Sequence, residues 1–454
     1  MVSILEFLRD VLKQPALLMG IMALVGLLAL KKPGHKVMTG TLKPILGYIM
    51  LGAGADFIVS NLDPLGKMIQ KGFNITGVIP NNEAIVSVAQ KILGVETMSI
   101  LVVGLLINLV IARFTKYKYV FLTGHHSFFM ACLLSAVLGT CGMKGIELIL
   151  FGGFILGAWS AISPAIGQKY TLKVTDGDEI ALGHFGSLAY YVSAWVGSKV
   201  GKAEESTEKM EIPEKWGFLR DTTISTAITM MTFYLIAAIA AGPAYVSELS
   251  DGTQPILFAL MCGLKFAVGV TIVYSGVRMI LGDLIPAFQG IATKIIPDAI
   301  PAVDCAVFFT YAPTAVVIGF ISSFVGGVIG MILLGAAGGI LIIPGLVPHF
   351  FCGATAGIFG NATGGKKGAV VGSFVNGLLI TLSPALLLPV LGSLGFQNTT
   401  FGDFDFGVLG IVLGKISNLM GKGGIIGVVV VLALVLIVPN FIKTKSKALN
   451  NIEE

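Results

Sequence analysis

Polar side chains that interrupt apolar stretches are the first feature of this chain that bears on chemistry. Asn82 and Glu83 lie in "IPNNEAIV" (79–86), His125 and His126 in "FLTGHHSFF" (121–129), and His184 in "ALGHFGS" (181–187). Asp304 lies in "IPAVDCAV" (300–307) and His349 in "LVPHFF" (346–351). An ionisable group at the centre of a membrane helix costs at least ~2.5 kcal/mol on insertion scales, so such groups persist where they pair or line a wet cavity. Carboxylate, carboxamide and neutral imidazole are the groups a polyhydroxylated ligand requires. A carboxylate accepts from two adjacent hydroxyls, while Asn and neutral His each supply a donor and an acceptor. Phe128, Phe129 and Phe185 are placed to cover the apolar face of a ring.

Other chemistries find little support. The His and carboxylate spacings match no metal-ligand motif, and neither a metal nor a cofactor is expected. "GNATGGKK" (360–367) has the spacing of a phosphate-binding loop, but Lys367 stands where Ser or Thr should bind magnesium and no strand precedes it. "TDGDE" (175–179) reads as a polar turn. Cys132, Cys141, Cys262, Cys305 and Cys352 sit in apolar surroundings without a C-x-x-C, and read as small buried hydrophobes. Serine-hydrolase arrangements are not seen. If phosphoryl transfer is involved, the phosphorylated residue belongs to another chain.

The elements that position these residues follow from composition. Of 454 residues, 55% are hydrophobic and 12% charged, and the mean hydropathy is +0.89. A soluble protein carries about a quarter charged residues. Apolar runs at Pro15–Leu30, Met98–Ala112, Ile146–Ile166, Thr222–Ala241, Gln254–Tyr274, Lys367–Leu391 and Gly423–Val438 approach or reach the ~20 residues that cross a bilayer. The fold class is an all-α polytopic membrane protein. The first run ends in Lys31-Lys32 and follows an amphipathic opening, "MVSILEFLRDVLKQ", so it reads as a membrane helix and not as a cleaved signal. The net charge of +5 is dispersed. It forms no nucleic-acid-binding stripe and fits cytoplasmic clusters at Lys31/Lys32/Lys36/Lys43, Arg113/Lys116/Lys118, Lys199–Arg220 and Lys443/Lys445/Lys447.

Between the clean runs lie half-apolar segments with Pro, Gly, His and acids: Gly72–Leu93, Phe121–Phe129, Thr175–Trp195, Asp283–Asp304 and Ile342–Gly365. Broken helices around a mid-depth site are a transporter's signature. There is also an internal echo. "IPNNEAIV" matches "IPAVDCAV", "LKPILG" (42–47) matches "VRMILG" (277–282), and "GHHSFFMAC" (124–132) matches "VPHFFCGAT" (347–355), in the same order. We read repeats over about 15–165 and 250–395, with Glu83 and Asp304 close together at their interface, inside a single membrane domain spanning 1–454. The charged segment 199–221 is expected to be a solvated loop suited to a soluble partner. By chemistry alone, an ion-coupled secondary transporter using Glu83 and Asp304 stays open beside a sugar permease.

"LKPILGYIMLGAGADFIV", "FLTGHHSFF", "VTDGDEIALGH", "GVRMILGDL", "IPAVDCAVFFTYAPTAVVIGF" and "LIIPGLVPHFFCGATAGIFGN" together resemble the membrane-embedded IIC permease of the ascorbate-type bacterial phosphotransferase system. The resemblance covers about residues 15–440. It implies an inner-membrane homodimer with about eleven membrane helices per protomer, including broken and re-entrant ones, divided into a core and a dimerising region. It implies translocation of L-ascorbate or a related polyol or sugar acid, with phosphorylation by a separate cysteine-phosphorylated IIB protein that IIA charges. The chain itself is then a transport subunit and not an enzyme. The family's binding positions fall here on Asn82-Glu83, the segment His125 to Phe129, His184-Phe185 and Asp304. The well-known ascorbate binder has tyrosine at the position of Glu83 and glutamine at those of Phe129 and Phe185. Two lost amides and an added carboxylate disfavour an anion and suit a neutral polyol or sugar lactone.

Overall fold

A computed structural model describes residues 11, 14–74, 77–80, 82–210, 222–392 and 400–441, with side chains left out at some helical positions, among them 83–94. The amphipathic opening, the second half of the charged loop and the C-terminal tail lie almost wholly outside the described residues, as does the side chain of Glu83.

The apolar runs form helices. In chain order these are α1 (Pro15–Ala29), α2 (Gly34–Phe73), α3 (Asn82–Phe114), α4 (Gly124–Thr140), α5 (Gly145–Val174), α6 (Ser187–Val200), α7 (Thr222–Ala241), α8 (Pro243–Leu249), α9 (Pro255–Lys294), α10 (Pro313–Ala336), α11 (Leu346–Gly392) and α12 (Phe404–Phe441). Among the described residues, seven are long and apolar enough to cross a membrane, and α7 with α8, bent by 114°, makes up to eight. That count does not establish the expected eleven. One physical source of the difference is that α11 and α12 each contain a reversal. At 47 residues a straight α11 would be ~70 Å long, more than twice a ~30 Å hydrocarbon core. Gly365 and Gly421, both at φ 57° and ψ −147°, turn the chain back. Gly360 then packs against Gly368, and Gly424 against Ile416. α1 has 15 residues, about 22 Å, and falls short of the core thickness.

The long helices α2 and α9 run antiparallel in close contact. Gly47 faces Gly276 and Gly54 faces Gly269 and Val273, where a Cβ on either of the two α2 glycines would meet backbone within 3.0 Å. Small residues of this kind let membrane helices approach closely. Lys43 of α2 pairs with Asp283 of α9 at 3.1 Å, which places the start of α2 beside the end of α9.

The helices enclose a three-stranded parallel sheet, an element that the all-α reading did not contain. Its strands are β1 (Tyr119–Phe121), β2 (Ala181–Leu182) and β3 (Ile300–Val303), in the order β1-β3-β2. Val120 sits opposite Pro301, and Ala181 opposite Ala302. Pro301 is tolerated in the central strand because β2 begins only one residue later, so its missing N–H deprives no partner. The strands follow the C-terminal ends of α3, α5 and α9 respectively. These ends therefore share one membrane side with the start of α2. Lys31, Lys32, Lys36, Arg113, Lys116 and Lys118 make that side cytoplasmic by the positive-inside rule. Each strand thus enters from the cytoplasmic side and stops within the protein.

The first half of the charged loop is mostly exposed, as Lys202–Glu205 and Glu208–Met210 are, but it is anchored to the helices at Ser206, Thr207 and Glu208. Thr207 is buried. Its N–H donates to Asn361 Oδ1 at 2.8 Å, and Asn361 Nδ2 donates to Ser206 at 3.1 Å. The Glu208 carboxylate accepts from the Thr314 and Ala315 N–H groups at 3.2 and 3.1 Å. It thereby caps α10 from outside that helix, where free N–H groups and the helix dipole favour an anion. Glu208→Ala is expected to cost about 1 kcal/mol, read as a lowered melting temperature of the purified protein.

Candidate functional site

The three strands end at the residues that could do chemistry. β1 is followed by Thr123, Gly124 and His125, β2 by Gly183 and His184, and β3 by Asp304. Parallel strands offer ligands their carboxyl ends, and here these ends form the floor of a cavity of about 930 Å³. Tyr48, Asn82, His125, His126, Phe129, His184, Asp304 and Asp403 share this wall. The upper wall combines the apolar Leu62, Phe324, Val328 and Met331 with Asp56, Asp63, Lys67 and Gln70 of α2. The mouth lies toward the C-terminal end of α2, where the lining residues Phe73, Ile79 and Ile236 are exposed. It therefore faces away from the lysine-rich side.

Asp304 is buried, and its Oδ1 accepts from the Ala306 N–H at 3.0 Å. Its Oδ2 lies 3.4 Å from His125 Nε2. Tyr48 Oη lies 3.0 Å from His125 Nδ1. A proton on Nε2 satisfies both contacts, because His125 then donates to Asp304 and accepts from Tyr48. In His184, Nδ1 accepts from the Gly186 N–H at 3.1 Å and lies 2.9 Å from Tyr190 Oη. In His126, Nδ1 accepts from the Phe185 N–H at 3.4 Å. Backbone donors thus hold both Nδ1 atoms unprotonated, which leaves Nε2–H as the donor on each neutral ring. The two rings lie 3.7 Å apart between centroids. A hydroxyl both donates and accepts, and these N–H donors beside carboxylate acceptors match it.

A second carboxylate completes the floor. Asn82 opens α3, donates from Nδ2 to Asp403 Oδ2 at 2.7 Å, and accepts at Oδ1 from the Gly402 N–H at 2.9 Å. Cys352 Sγ lies 2.7 Å from the other oxygen, Asp403 Oδ1. Two residues further on, buried Asp405 accepts from Ser187 Oγ at 2.7 Å and from the Leu188 N–H at 3.0 Å. It therefore caps α6, just after His184, and fixes that corner.

Of the residues singled out in the sequence, Asn82, His125, Phe129, His184 and Asp304 all line this cavity. The Glu83 side chain is outside the described residues. Phe185 is fully buried, stacked on Phe121 at 4.7 Å, and its ring is not part of the wall. His349 also lies off the cavity, buried and 2.9 Å from Ser323 Oγ, as a satisfied structural histidine. Tyr48, Asp403 and Cys352 were not singled out. The acids of "FGDFDFG" (401–407) carried a usable signal, since two aspartates among phenylalanines in so apolar a chain carry the same burial cost as Asp304. The residues His125, His126 and Asp304, and separately His184, Cys352 and Asp403, bring their donor atoms within 4.8 Å of one another. In each trio one pair is in direct contact, His125 with Asp304 and Cys352 with Asp403.

The sequence matches, over residues 10–405, the family described as EIIC-GAT, PTS system sugar-specific permease component. It is also similar to a protein of Mycoplasma pneumoniae described as an ascorbate-specific PTS system EIIC component, with 27% identity over 451 aligned residues. The match covers 84% of this chain and 66% of that relative, so the chain spans just under two thirds of the relative's length.

Proposed function

The chain belongs to the family of PTS system sugar-specific permease components, and from that premise we propose that its cavity binds L-ascorbate or a related polyol or sugar acid and passes it across the membrane. As a member of this family it is a multi-pass protein of the bacterial inner membrane. The observation that carries the reading is the convergence of three strand ends, with His125, His184 and Asp304, on one cavity whose remaining polar groups also suit hydroxyls. The cavity size lies in the upper range of ligand pockets.

In this reading the described conformation is open to the outside. The solute enters past Phe73 and Ile79, and its hydroxyls exchange hydrogen bonds with Asp304, His184, His126 and the Asn82 region. Phe129, set edge-on to His125 with centroids 5.9 Å apart, covers an apolar face. Movement of the site-bearing elements past their neighbours opens the site to the cytoplasm. There a phosphorylated IIB protein, recharged by IIA, transfers its phosphoryl group to the solute. The working unit is a homodimer. The antiparallel contact of "LKPILG" on α2 with the "VRMILG" stretch of α9 supports the proposed duplication, because matched segments of inverted repeats meet across a pseudo-twofold axis.

A thermal-shift screen of the purified protein against L-ascorbate, xylitol, sorbitol and L-galactono-1,4-lactone tests the binding step. A ligand of the native state raises the melting temperature by linkage, by an amount that grows with concentration over Kd. At least one of the four is expected to do so. A flat response to all of them at millimolar concentration contradicts the reading.

A further inference from the structure

We propose that Asp403 is a direct contact for the transported solute and that, with Asp304, it selects neutral polyhydroxylated molecules over anions. The inference rests on the permease reading of the cavity and adds a residue and a charge preference to it. Asp403 lines the cavity and is 6% exposed. Its carboxylate lies within 4.8 Å of both the His184 imidazole and the Cys352 thiol. One oxygen takes the Asn82 amide proton and the other faces Cys352. An ionised carboxylate has about four acceptor positions, so each oxygen keeps one for an incoming hydroxyl. Asp304 is in the same state, with one contact from the Ala306 N–H and one from His125.

Charge balance gives the selectivity. The cavity's polar floor holds these two aspartates and three histidines, two of whose Nδ1 atoms are occupied by backbone N–H donors. Neither lysine nor arginine lies among its described lining residues except Lys67, which is in the outer part of α2 and is already paired with Asp63 at 2.7 Å. Two carboxylates without a facing cation repel an anion and welcome hydroxyl donors. The Asn82 clamp on Gly402 and Asp403 fixes the second carboxylate at the start of α3, so the selecting charge does not depend on Glu83.

The test is calorimetric titration of the full-length protein in detergent with two probes, xylitol and L-ascorbate at neutral pH. Asp403→Asn keeps the shape and removes the charge. The wild type is expected to bind xylitol more tightly than ascorbate, and Asp403→Asn to shift the ratio of the two affinities toward ascorbate by at least tenfold. Asp403→Glu keeps the charge one methylene away. It is expected to preserve the ranking while weakening xylitol, and it carries the test if the asparagine variant does not fold. If the wild type binds either probe and the ratio is the same in Asp403→Asn, the Asp403 assignment is wrong and the permease reading stands. If the wild type prefers ascorbate, the charge preference is wrong. If it binds no probe here and no compound in the thermal-shift screen, both the assignment and the permease reading fall.

Discussion

Replacing Asp304 by asparagine is expected to weaken solute binding more than 100-fold while leaving expression and folding intact. Asp304 lies at the end of the central strand β3, where its two oxygens serve different purposes. Oδ1 caps the turn that follows by accepting from the Ala306 N–H, and asparagine keeps that bond through its own carbonyl oxygen. Oδ2 fixes the His125 tautomer. With an amide there, an N–H faces the Nε2–H, so His125 moves its proton to Nδ1 and reverses its hydrogen bond with Tyr48, whose Oη then accepts. The solute in turn loses a charged acceptor. Hydrogen bonds to charged groups contribute about 1.5–3 kcal/mol each, so two of them on neighbouring hydroxyls account for at least ~3 kcal/mol, or two decades of Kd. Calorimetry on wild type and Asp304→Asn, at matched monodispersity by size exclusion, checks this. Binding within threefold of wild type contradicts the role assigned to Asp304.

The second large effect separates backbone strain from steric clash. Gly365 and Gly421 share φ 57° and ψ −147°, a region that only glycine occupies without strain. Their surroundings differ. A Cβ on Gly421 meets nothing within 4 Å, whereas one on Gly365 falls 2.4 Å from the Lys202 carbonyl oxygen and 2.5 Å from that of Glu205. Gly421→Ala therefore measures the conformational cost alone, about 1–3 kcal/mol. Gly365→Ala adds a collision with backbone that the Asn361 and Glu208 contacts hold in place. It is expected to lower the melting temperature further and to free residues 201–210, which limited proteolysis detects as new cleavage there. Equal melting temperatures for the two variants contradict the docked position of this segment.

The comparison between sequence and structure depends on the length scale of each signal. Apolar runs of about 20 residues dictate membrane helices with little ambiguity, and Thr222–Ala241 is helical over the residues expected. Breaks were legible too, because Gly, Pro and His interrupt the apolar pattern, and the segments around His125, His184 and Asp304 are where the chain stops inside the protein. What fills the breaks was not legible. Strands of two to four residues such as Ala181–Leu182 are too short for a period-two pattern to register. The parallel pairing of three such pieces, each separated by a long helical stretch, is a property of tertiary packing. The hairpins at Gly365 and Gly421 were hidden in otherwise helical text, and "GNATGGKK" turned out to be a helix reversal and not a phosphate loop. The cysteines show the limits of composition. Cys132, Cys262, Cys305 and Cys352 are all buried as expected, but Cys352 also touches Asp403 and Cys305 also lines the cavity. Only the folded chain brings those partners together.

The measurement that bears most directly on the account is uptake into proteoliposomes of a radiolabelled solute taken from the binding screen, with phosphorylated IIB protein supplied on the cytoplasmic face. The account predicts that the label accumulates as a phosphate ester, and that accumulation drops to background when phospho-IIB is omitted or Asp304→Asn replaces the wild type. Accumulation of unmodified solute without IIB, driven by a proton or sodium gradient, would contradict it and identify an ion-coupled transporter.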